Sequence, residues 1–397
     1  MISVSEAYDI VLQQAVDFGS EKIALQDGIG RVLREEWHGD RDLPPYHRVT
    51  MDGIGFQYDG VQGKSELRIT GVAAAGDPQH VLTDLGTCME VMTGAVLPEN
   101  CDTVVRYEDV DISDGIARIN VDFVKGQNVH YKGEDRKAGD LLVKPGTVIS
   151  PSEIGVGASI GQHEIEVARL PRTMIISTGN ELVEIHETPA PHQIRRGNVY
   201  RLEASLRHLG LSVDTAHLLD DEAEIKAKVS EYLTTYDVLV LSGGVSKGKF
   251  DYLPTALAEL GVEKRFHRIA QRPGKPFWFG HHVEKETTVF ALPGNPVSSF
   301  MCTQVYLMDW LRASLGMPLA NRPHAILQAS VDFKPDLTYF LEVSVSYNED
   351  GQILAEPKKG HGSGDLANLL RGDAFIRLPR GKDHFEAGEI YPLYFYR

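Results

Sequence analysis

Short apolar runs that lead through glycine into a helical pattern recur between residues 171 and 320. Three such runs end at Thr178, Ser242 and Leu292, and each is followed by a glycine and a predicted helix. Runs of this length without polar alternation are typical of strands that are buried on both faces of a parallel sheet. Because the carboxyl ends of such strands meet at one edge, the pattern predicts a doubly wound α/β sheet whose loops cluster where ligands bind.

The loop after the second run has the composition of an anion-binding turn. Val238 to Leu241 lead into Ser242-Gly-Gly-Val-Ser, and glycine lets the backbone turn tightly and bring its N–H groups close to a ligand. Pro254 suits the first turn of the next helix, and Gly261 suits the position after its end. A single glycine loop often serves only packing, whereas three converging loops favour a nucleotide-like or phosphate-bearing ligand.

Other helix signals lie around this loop. Asn198 is a predicted N-cap of a helix that ends near Leu209, and Glu222 to Tyr232 predicts the next helix. Asn295 and Pro296 predict the start of a long helix that follows the third run.

The remaining segments have a different pattern. Ser3 and Glu6 have capping-box spacing at the start of an amphipathic helix. Short β-type runs broken by glycine and proline fill residues 44–138 and return after residue 321, which predicts two small β units. The predicted units are a helix at 1–20 packing with the sheet domain, a linking domain at 21–43 and 139–170, a β module at 44–138, the α/β domain at 171–320 and a C-terminal β domain at 321–397.

Two local predictions depend on composition alone. Arg31 to Trp37 has the pattern of a short helix or turn before the extended pair Pro44-Pro45. His281 and His282 lie in a polar stretch before Thr287, so we expect them to be solvated and to bind nothing.

Composition narrows the class of protein. With 397 residues and 42% hydrophobic content, the chain is long enough for two to three domains. A net charge of −16 argues against a nucleic-acid partner. Cys88, Cys101 and Cys302 have no CxxC spacing, so neither a disulfide framework nor a thiolate zinc site is implied. With neither a signal-peptide pattern nor an apolar stretch of roughly 18 residues, we expect a soluble, cytoplasmic protein without a membrane partner.

Local charge supports an anion site more strongly than the glycine pair does. Between Ser246 and Lys275 the chain carries seven basic and three acidic side chains, which is a local charge of +4. A solvated basic face is the alternative interpretation. Beside the glycine loop, Lys247, Arg268, Arg272 and Lys275 are suited to hold phosphate oxygens.

Six short sequence blocks have the order and spacing of a family signature. They are Thr93-Gly-Ala with Pro98, Gly133-Glu-Asp, Ser177-Thr-Gly-Asn-Glu-Leu, Ser242-Gly-Gly-Val-Ser, Pro273-Gly-Lys-Pro and Leu292-Pro-Gly-Asn-Pro-Val-Ser. These blocks resemble those of the MoeA family, the molybdopterin molybdenumtransferases, and the likeness runs from the N-terminal helix to the loop at Gly362.

The resemblance implies an elongated homodimer of four domains. In it, the sheet domain carries adenylylated molybdopterin and the β module of the partner subunit completes the site. The implied reaction inserts molybdenum from molybdate into the dithiolene and releases AMP with the help of Mg²⁺. Molybdopterin adenylyltransferase and apo-molybdoenzymes are further implied partners.

Matching positions assign roles to single residues. Asp251, after the glycine loop, and Glu181, at a neighbouring strand end, are the candidate Mg²⁺ ligands, since this ion prefers hard oxygen donors. Asp52 and Thr93 on the β module would meet the molybdate or the pterin across the dimer. With Lys275, these four form the predicted catalytic set. The predicted cofactor-binding residues are Ser242, Gly243, Gly244, Ser246, Arg268, Arg272, Pro293, Gly294, Asn295, Ser298 and Ser363.

Some positions depart from the family pattern. Asn180 replaces a usual aspartate, which weakens a metal role for that position, and His130 replaces a usual arginine. Glu342 stands where an arginine is common. The other departures are Val49 and Thr50 for serine and alanine, Ile54 for an aromatic residue, and Arg195-Arg196-Gly197 for Tyr-Asp-Ser before Asn198.

Two other functions are alternatives to molybdenum insertion. One is an adenylyltransferase that acts one step earlier, against which the four-domain length and the Ser242-Gly-Gly-Val-Ser-Lys-Gly loop argue. The other is a catalytically idle carrier of the cofactor, against which the retained carboxylates argue.

Overall fold

Helices and strands follow the predicted pattern along most of the chain. The computed structural model describes residues 1–244 and 252–397. Within these ranges, no helix is both long enough and apolar enough to cross a bilayer. In chain order the α-helices are Val4–Gln13, Pro151–Ser159, Gly197–Arg207, Glu222–Thr235, Leu253–Glu259, Pro296–Cys302 and Met308–Leu315, the last two joined by the π-helical segment Thr303–Leu307.

A six-stranded sheet forms the α/β domain. Its strand order is Val213–Leu218, Thr173–Thr178, Val238–Ser242, Thr287–Leu292, Trp278–His282 and Glu263–His267. The first four strands are parallel, and the last two are antiparallel to their neighbours. Every residue of Thr173–Thr178, Val238–Ser242 and Thr287–Leu292 is buried, which explains why these strands lack polar alternation.

Helices cover both faces of this sheet and confirm the doubly wound prediction. Glu222–Thr235 and Leu253–Glu259 pack on one face. Gly197–Arg207, the helices after residue 296 and the N-terminal helix pack on the other. The N-terminal helix has the predicted capping box, in which Ser3 Oγ accepts from the Glu6 N–H and the Glu6 carboxylate accepts from the Ser3 N–H.

The two small β units are also present. In the β module the strand order is Thr103–Arg106, Gly53–Phe56, Cys88–Val91, Glu66–Ala73, Ile116–Ile119 and Val110–Ser113. Arg48–Val49 pairs with Val129–His130 at the base of this module. In the linking region, Ser20–Ala24 pairs with Glu164–Ala168, and Trp37–His38 pairs with Leu141–Val143.

The C-terminal unit is a closed barrel. Around the ring the strands are Thr338–Tyr347, Ile353–Pro357, His324–Leu327, Ile390–Phe395 and Ala374–Leu378, and the last pairs with the first. The short pair Val331–Asp332 and His384–Phe385 lies beside the ring. Gln271–Arg272, from the α/β domain, adds in parallel to the start of Thr338–Tyr347. The barrel and the sheet domain are therefore hydrogen-bonded to each other.

Three local predictions are wrong. Arg31 to Trp37 is not helical, because Val32 and Leu33 are buried and bridge to extended partners instead. His281 and His282 end a sheet strand, where His282 is 9% exposed and His281 Nδ1 lies 3.2 Å from Thr288 Oγ1. Burial lowers the pKa of His281. The third error concerns Asn198, which lies inside the helix Gly197–Arg207 and is not its N-cap.

Candidate functional site

A cleft of about 960 Å³ opens at the carboxyl edge of the α/β sheet, and we call it the large cleft. Its lining includes Thr178, Gly243, Gly244 and Gly294, which come from the three loops that follow the central strands. The edge is the one at which parallel strands present their ends and helices present their N-termini. The three glycine loops thus converge as their sequence pattern predicts.

The glycine loop requires glycine for steric reasons. Gly243 has φ of 109° and Gly244 has φ of 67°, a region that side chains strain to reach. A Cβ on Gly244 would lie 2.7 Å from Leu253 Cδ1 and 3.0 Å from Thr178 Oγ1. Both glycines line the large cleft, and neither has a side chain between its backbone and the cleft. Three further predicted residues of this loop, Ser246, Lys247 and Asp251, lie outside the described residues.

Asn198 joins two of the loops. The helix that follows it begins at Gly197 with Arg196 as the N-cap, so Asn198 lies in the first turn. Its Nδ2 donates to Ser242 Oγ at 3.2 Å and to the carbonyl oxygen of Gly294 at 2.7 Å. The asparagine is therefore a tether that fixes the glycine loop against the loop after Leu292, a role that capping statistics could not reveal.

Acidic side chains lie at one end of the large cleft. Glu181 and Asp220 both line it. Asn180 and Asp220 brace each other, since Asn180 Oδ1 accepts from the Asp220 N–H at 3.1 Å and Asp220 Oδ2 accepts from the Asn180 N–H at 3.4 Å. Asp220 was not among the predicted residues, although it follows the strand that ends at Leu218 and so belongs to the same edge.

These carboxylates fit a hard divalent cation. Glu181 and Asp220 supply the oxygen donors that Mg²⁺ prefers, and the ion commonly keeps waters and phosphate oxygens as its other ligands. Within residues 1–244 and 252–397, no group of three or more His, Cys, Asp or Glu side chains forms a ready-made metal cage. The fit is therefore to a cation held partly by the ligand.

Basic side chains also line the large cleft. Arg196 is 6% exposed, and its Nη1 donates to Glu184 Oε1 at 2.5 Å while its Nη2 donates to the Ala216 carbonyl at 3.1 Å. Arg201 is half-buried and lines the same cleft. Composition had placed the basic cluster after residue 246, so these two arginines were missed.

A second cleft of about 290 Å³ lies between the sheet domain and the barrel, and we call it the small cleft. It holds several of the remaining predicted residues, and it shares one wall with the large cleft. Asn295 Nδ2 donates to Ser363 Oγ at 2.9 Å, and the Val297 N–H donates to the Ser363 carbonyl at 3.1 Å. Its predicted lining residues are Arg272, Lys275, Pro293, Asn295, Ser298 and Ser363.

The small cleft also contains a buried acid. Glu342 is 7% exposed and lies beside Asn368, and burial raises the pKa of this carboxyl. Burial also raises the pKa of Tyr339, which lines the same cleft, to about 12. Arg272 and Lys275 are exposed at its edge. Sequence comparison identified Glu342 as a departure from the family but gave no sign of its burial.

Three predicted residues lie outside both clefts. Arg268 has φ of 76° and lines neither cleft, and its carbonyl accepts from the Ile2 N–H. Asp52 and Thr93 are exposed on the β module. There Asp52 Oδ1 accepts from the Thr93 N–H at 2.6 Å, and this bond from Thr93 lowers the pKa of Asp52. The module therefore presents an ionised carboxylate whose position is fixed.

Comparisons with protein families cover almost the whole chain. Three family models match in order: "MoeA N-terminal region (domain I and II)" over residues 2–161, "Probable molybdopterin binding domain" over residues 174–313 and "MoeA C-terminal region (domain IV)" over residues 324–395.

Individual relatives are similar over their full length. A molybdopterin molybdenumtransferase of Synechocystis sp. is 40% identical, over 99% of this chain and 100% of the relative. One of Staphylococcus epidermidis is 29% identical over 98% of this chain and 94% of the relative. The crystal structure of a molybdopterin biosynthesis MoeA protein from Pyrococcus horikosii superposes with a TM-score of 0.84 at 28% identity, and the match covers 100% of this chain and 99% of that chain.

Proposed function

The chain belongs to the MoeA family of molybdopterin molybdenumtransferases, and from this premise we propose that the large cleft binds adenylylated molybdopterin with its phosphates at the glycine loop. The enzyme acts in molybdenum cofactor biosynthesis, in which it inserts molybdenum into molybdopterin. The observation that carries the proposal is the open backbone at Gly243 and Gly244, held in place by the Asn198 tether. Backbone N–H groups at such a turn bind phosphate oxygens.

Positioning and electrostatics supply the catalysis in this proposal. Displacement of AMP places negative charge on the leaving phosphate, and fixed cations and N–H groups stabilise that charge in a site partly closed to water. Lys275 and Arg272, which line the small cleft, would do so for a ligand that reaches from the large cleft into the small one. Molybdate is the second substrate.

Mg²⁺ is the proposed metal. Glu181 and Asp220 would hold it at the acidic end of the large cleft, together with Asp251 from the loop outside the described residues. When bound, the ion neutralises phosphate charge and orients the phosphoanhydride. The mutual hydrogen bonds of Asn180 and Asp220 would hold one of these oxygen donors in place.

A homodimer is the proposed working form. Asp52 and Thr93 line neither cleft of their own chain, yet Asp52 is held ionised by its bond from Thr93. A second chain that brings its β module to the carboxyl edge of the sheet would give this pair a substrate to contact. We further propose a cytoplasmic enzyme, since Cys88, Cys101 and Cys302 are buried free thiols. Its proposed partners are the adenylyltransferase that supplies the substrate and the apo-molybdoenzymes that receive the product.

One assay tests the proposed reaction. The protein is incubated with adenylylated molybdopterin, Mg²⁺ and molybdate, and AMP is followed over time. Molybdate-dependent release of AMP supports the proposal. Formation of AMP-bearing pterin from ATP would instead identify an adenylyltransferase, and binding without turnover would identify a carrier.

A further inference from the structure

A guanidinium without a carboxylate partner lies in the wall of the large cleft. Arg201 is half-buried there, and none of the ion pairs formed within residues 1–244 and 252–397 includes it. Burial lowers the pKa of Arg201. A buried cation costs free energy unless an anion or several hydrogen bonds compensate it.

Two contacts with the helix Pro296–Cys302 hold the side chain of Arg201 in place. Its Nη1 donates to the Pro296 carbonyl at 3.0 Å, and its Cζ lies 5.8 Å from the centre of the Phe300 ring. A guanidinium has five N–H donors in a planar fork that matches phosphate and carboxylate oxygens. Since one contact uses one donor, the fork keeps donors for a ligand in the cleft.

Neighbouring arginines are different. Arg196, also in the cleft wall, is already paired with Glu184. Arg207, on the same helix as Arg201, is paired with Glu203 and lines neither cleft. Among the arginines of this helix and its N-cap, Arg201 is the one that lines the large cleft and has no carboxylate partner within residues 1–244 and 252–397.

A buried hydroxyl in the same cleft gives an independent sign of a missing ligand. Thr178 is 6% exposed and lines the large cleft, and its Oγ1 has no hydrogen-bond partner among residues 1–244 and 252–397. Buried polar atoms are nearly always hydrogen-bonded. An unpaired cation and an unpartnered hydroxyl lining one cleft are the complement of an anionic, oxygen-rich ligand.

We propose that Arg201 is a substrate-binding residue of the large cleft, where its guanidinium grips a phosphate group of the substrate with two parallel N–H···O bonds. This inference rests on the proposed function and adds to it a side-chain contact with phosphate, beside the backbone contacts of the glycine loop. Adenylylated molybdopterin offers two sources of such a group, the phosphate of the pterin and that of AMP. The side chain positions the substrate and takes no part in bond breaking.

The test uses variants of the full-length protein. Arg201→Met removes the charge and keeps most of the apolar stem, and Arg201→Lys keeps the charge without the fork. Arg207→Met is the matched control on the exposed side of the same helix. We expect the Kd for adenylylated molybdopterin, measured by calorimetry, to rise about 10- to 100-fold in Arg201→Met. We expect a smaller rise in Arg201→Lys and no change in Arg207→Met.

Kinetics separate binding from a structural defect. For Arg201→Met, KM for adenylylated molybdopterin should rise with the Kd while kcat at saturation stays within about threefold of the wild type. AMP and molybdopterin, titrated separately, identify the phosphate, because only the ligand that carries it should lose affinity. If Arg201→Met melts below the wild type, Arg201→Gln is titrated at a temperature where both are folded.

Two results have distinct meanings. A wild-type protein that binds none of the three ligands contradicts the proposed function itself. A wild-type protein that binds, with Arg201→Met matching Arg207→Met for every ligand, overturns the role of Arg201 and leaves the proposed function standing.

Discussion

The two clefts share Pro276, Pro293 and Asn295, yet their acidic side chains differ in exposure to solvent. In the large cleft, the carboxylate of Glu181 is exposed. In the small cleft, Glu342 is buried, forms no ion pair within the described residues, and has a raised pKa, while the cations stay at the exposed edge. The acid of one site is therefore open to solvent, whereas burial opposes the ionisation of the acid in the other.

The difference follows from how each cleft is built. Strand ends and helix N-termini of one sheet make the large cleft, and these positions are open to solvent. The small cleft forms where the barrel packs on the sheet domain, and packing of two domains buries side chains from both. The same edge thus offers a ligand one solvated region and one desolvated region.

The largest effect is expected at the proposed metal site. Asp251→Ala should abolish molybdate-dependent AMP release, because it removes a proposed metal ligand, while the melting temperature stays near that of the wild type. The matched control is Asp350→Ala, an exposed aspartate in a barrel turn. Normal turnover by Asp251→Ala would remove that residue from the metal site.

A smaller loss is expected when the glycine loop is altered. Gly244→Ala would place a methyl group against Leu253 and Thr178, and small displacements of a phosphate-binding backbone cost about 100-fold in rate. Gly351→Ala is the control, since it has a similar φ of 76° with open space around it. Both should lose about 1 to 2 kcal/mol of stability, and only Gly244→Ala should lose AMP release. Equal activity of the two would show that the loop does not depend on close approach.

Burial of Glu342 in the small cleft should make the stability of the protein depend on pH. Burial, with a contribution from Asp365, raises the pKa of Glu342 above its ordinary value of about 4.5. The wild type therefore loses stability as pH rises from that value through the pKa in the folded protein, and Glu342→Gln does not. We expect the variant to be more stable than the wild type at neutral pH and to lose this advantage below about pH 4, as followed by urea unfolding.

The control for this experiment is Glu349→Gln, an exposed position on a barrel turn. A difference between Glu342→Gln and wild type that does not vary with pH would mean that Glu342 is solvated like the acids of the large cleft. The contrast between the clefts would then be lost.

The smallest effect is expected at the seam between the domains. Ser363→Ala removes the hydroxyl that accepts from Asn295, while the backbone bond from Val297 remains. We expect a loss of about 0.5 to 1.5 kcal/mol in unfolding free energy and weaker binding in the small cleft. Ser330→Ala removes a hydroxyl acceptor in an exposed loop of the C-terminal domain and should cost similar stability without affecting binding. Identical binding by the two variants would show that the seam does not shape the cleft.

Much of the fold could be predicted because its signals are local. The three central strands end at the predicted residues, Thr178, Ser242 and Leu292, and the first helix has its predicted capping box. Failures occurred where distant partners decide the outcome. Asn198 has the composition of a cap but bonds across to two other loops, and His282 is polar but buried by its neighbours in the sheet.

The site was predicted less completely for the same reason. The glycine loops could be predicted because each is marked by an apolar run followed by glycine. Whether Arg201 has a carboxylate partner depends on where the acidic side chains lie in the folded protein. The burial of Glu342 depends on how the barrel packs on the sheet domain. Neither can be inferred from a residue and its neighbours in the chain.

Arg272 belongs to a two-residue strand that extends the long barrel strand Thr338–Tyr347. In this short ladder Arg272 pairs with Tyr339, and both residues line the small cleft. Backbone hydrogen bonds between the two domains therefore fix the spacing of a cation and an aromatic ring in the wall of that cleft.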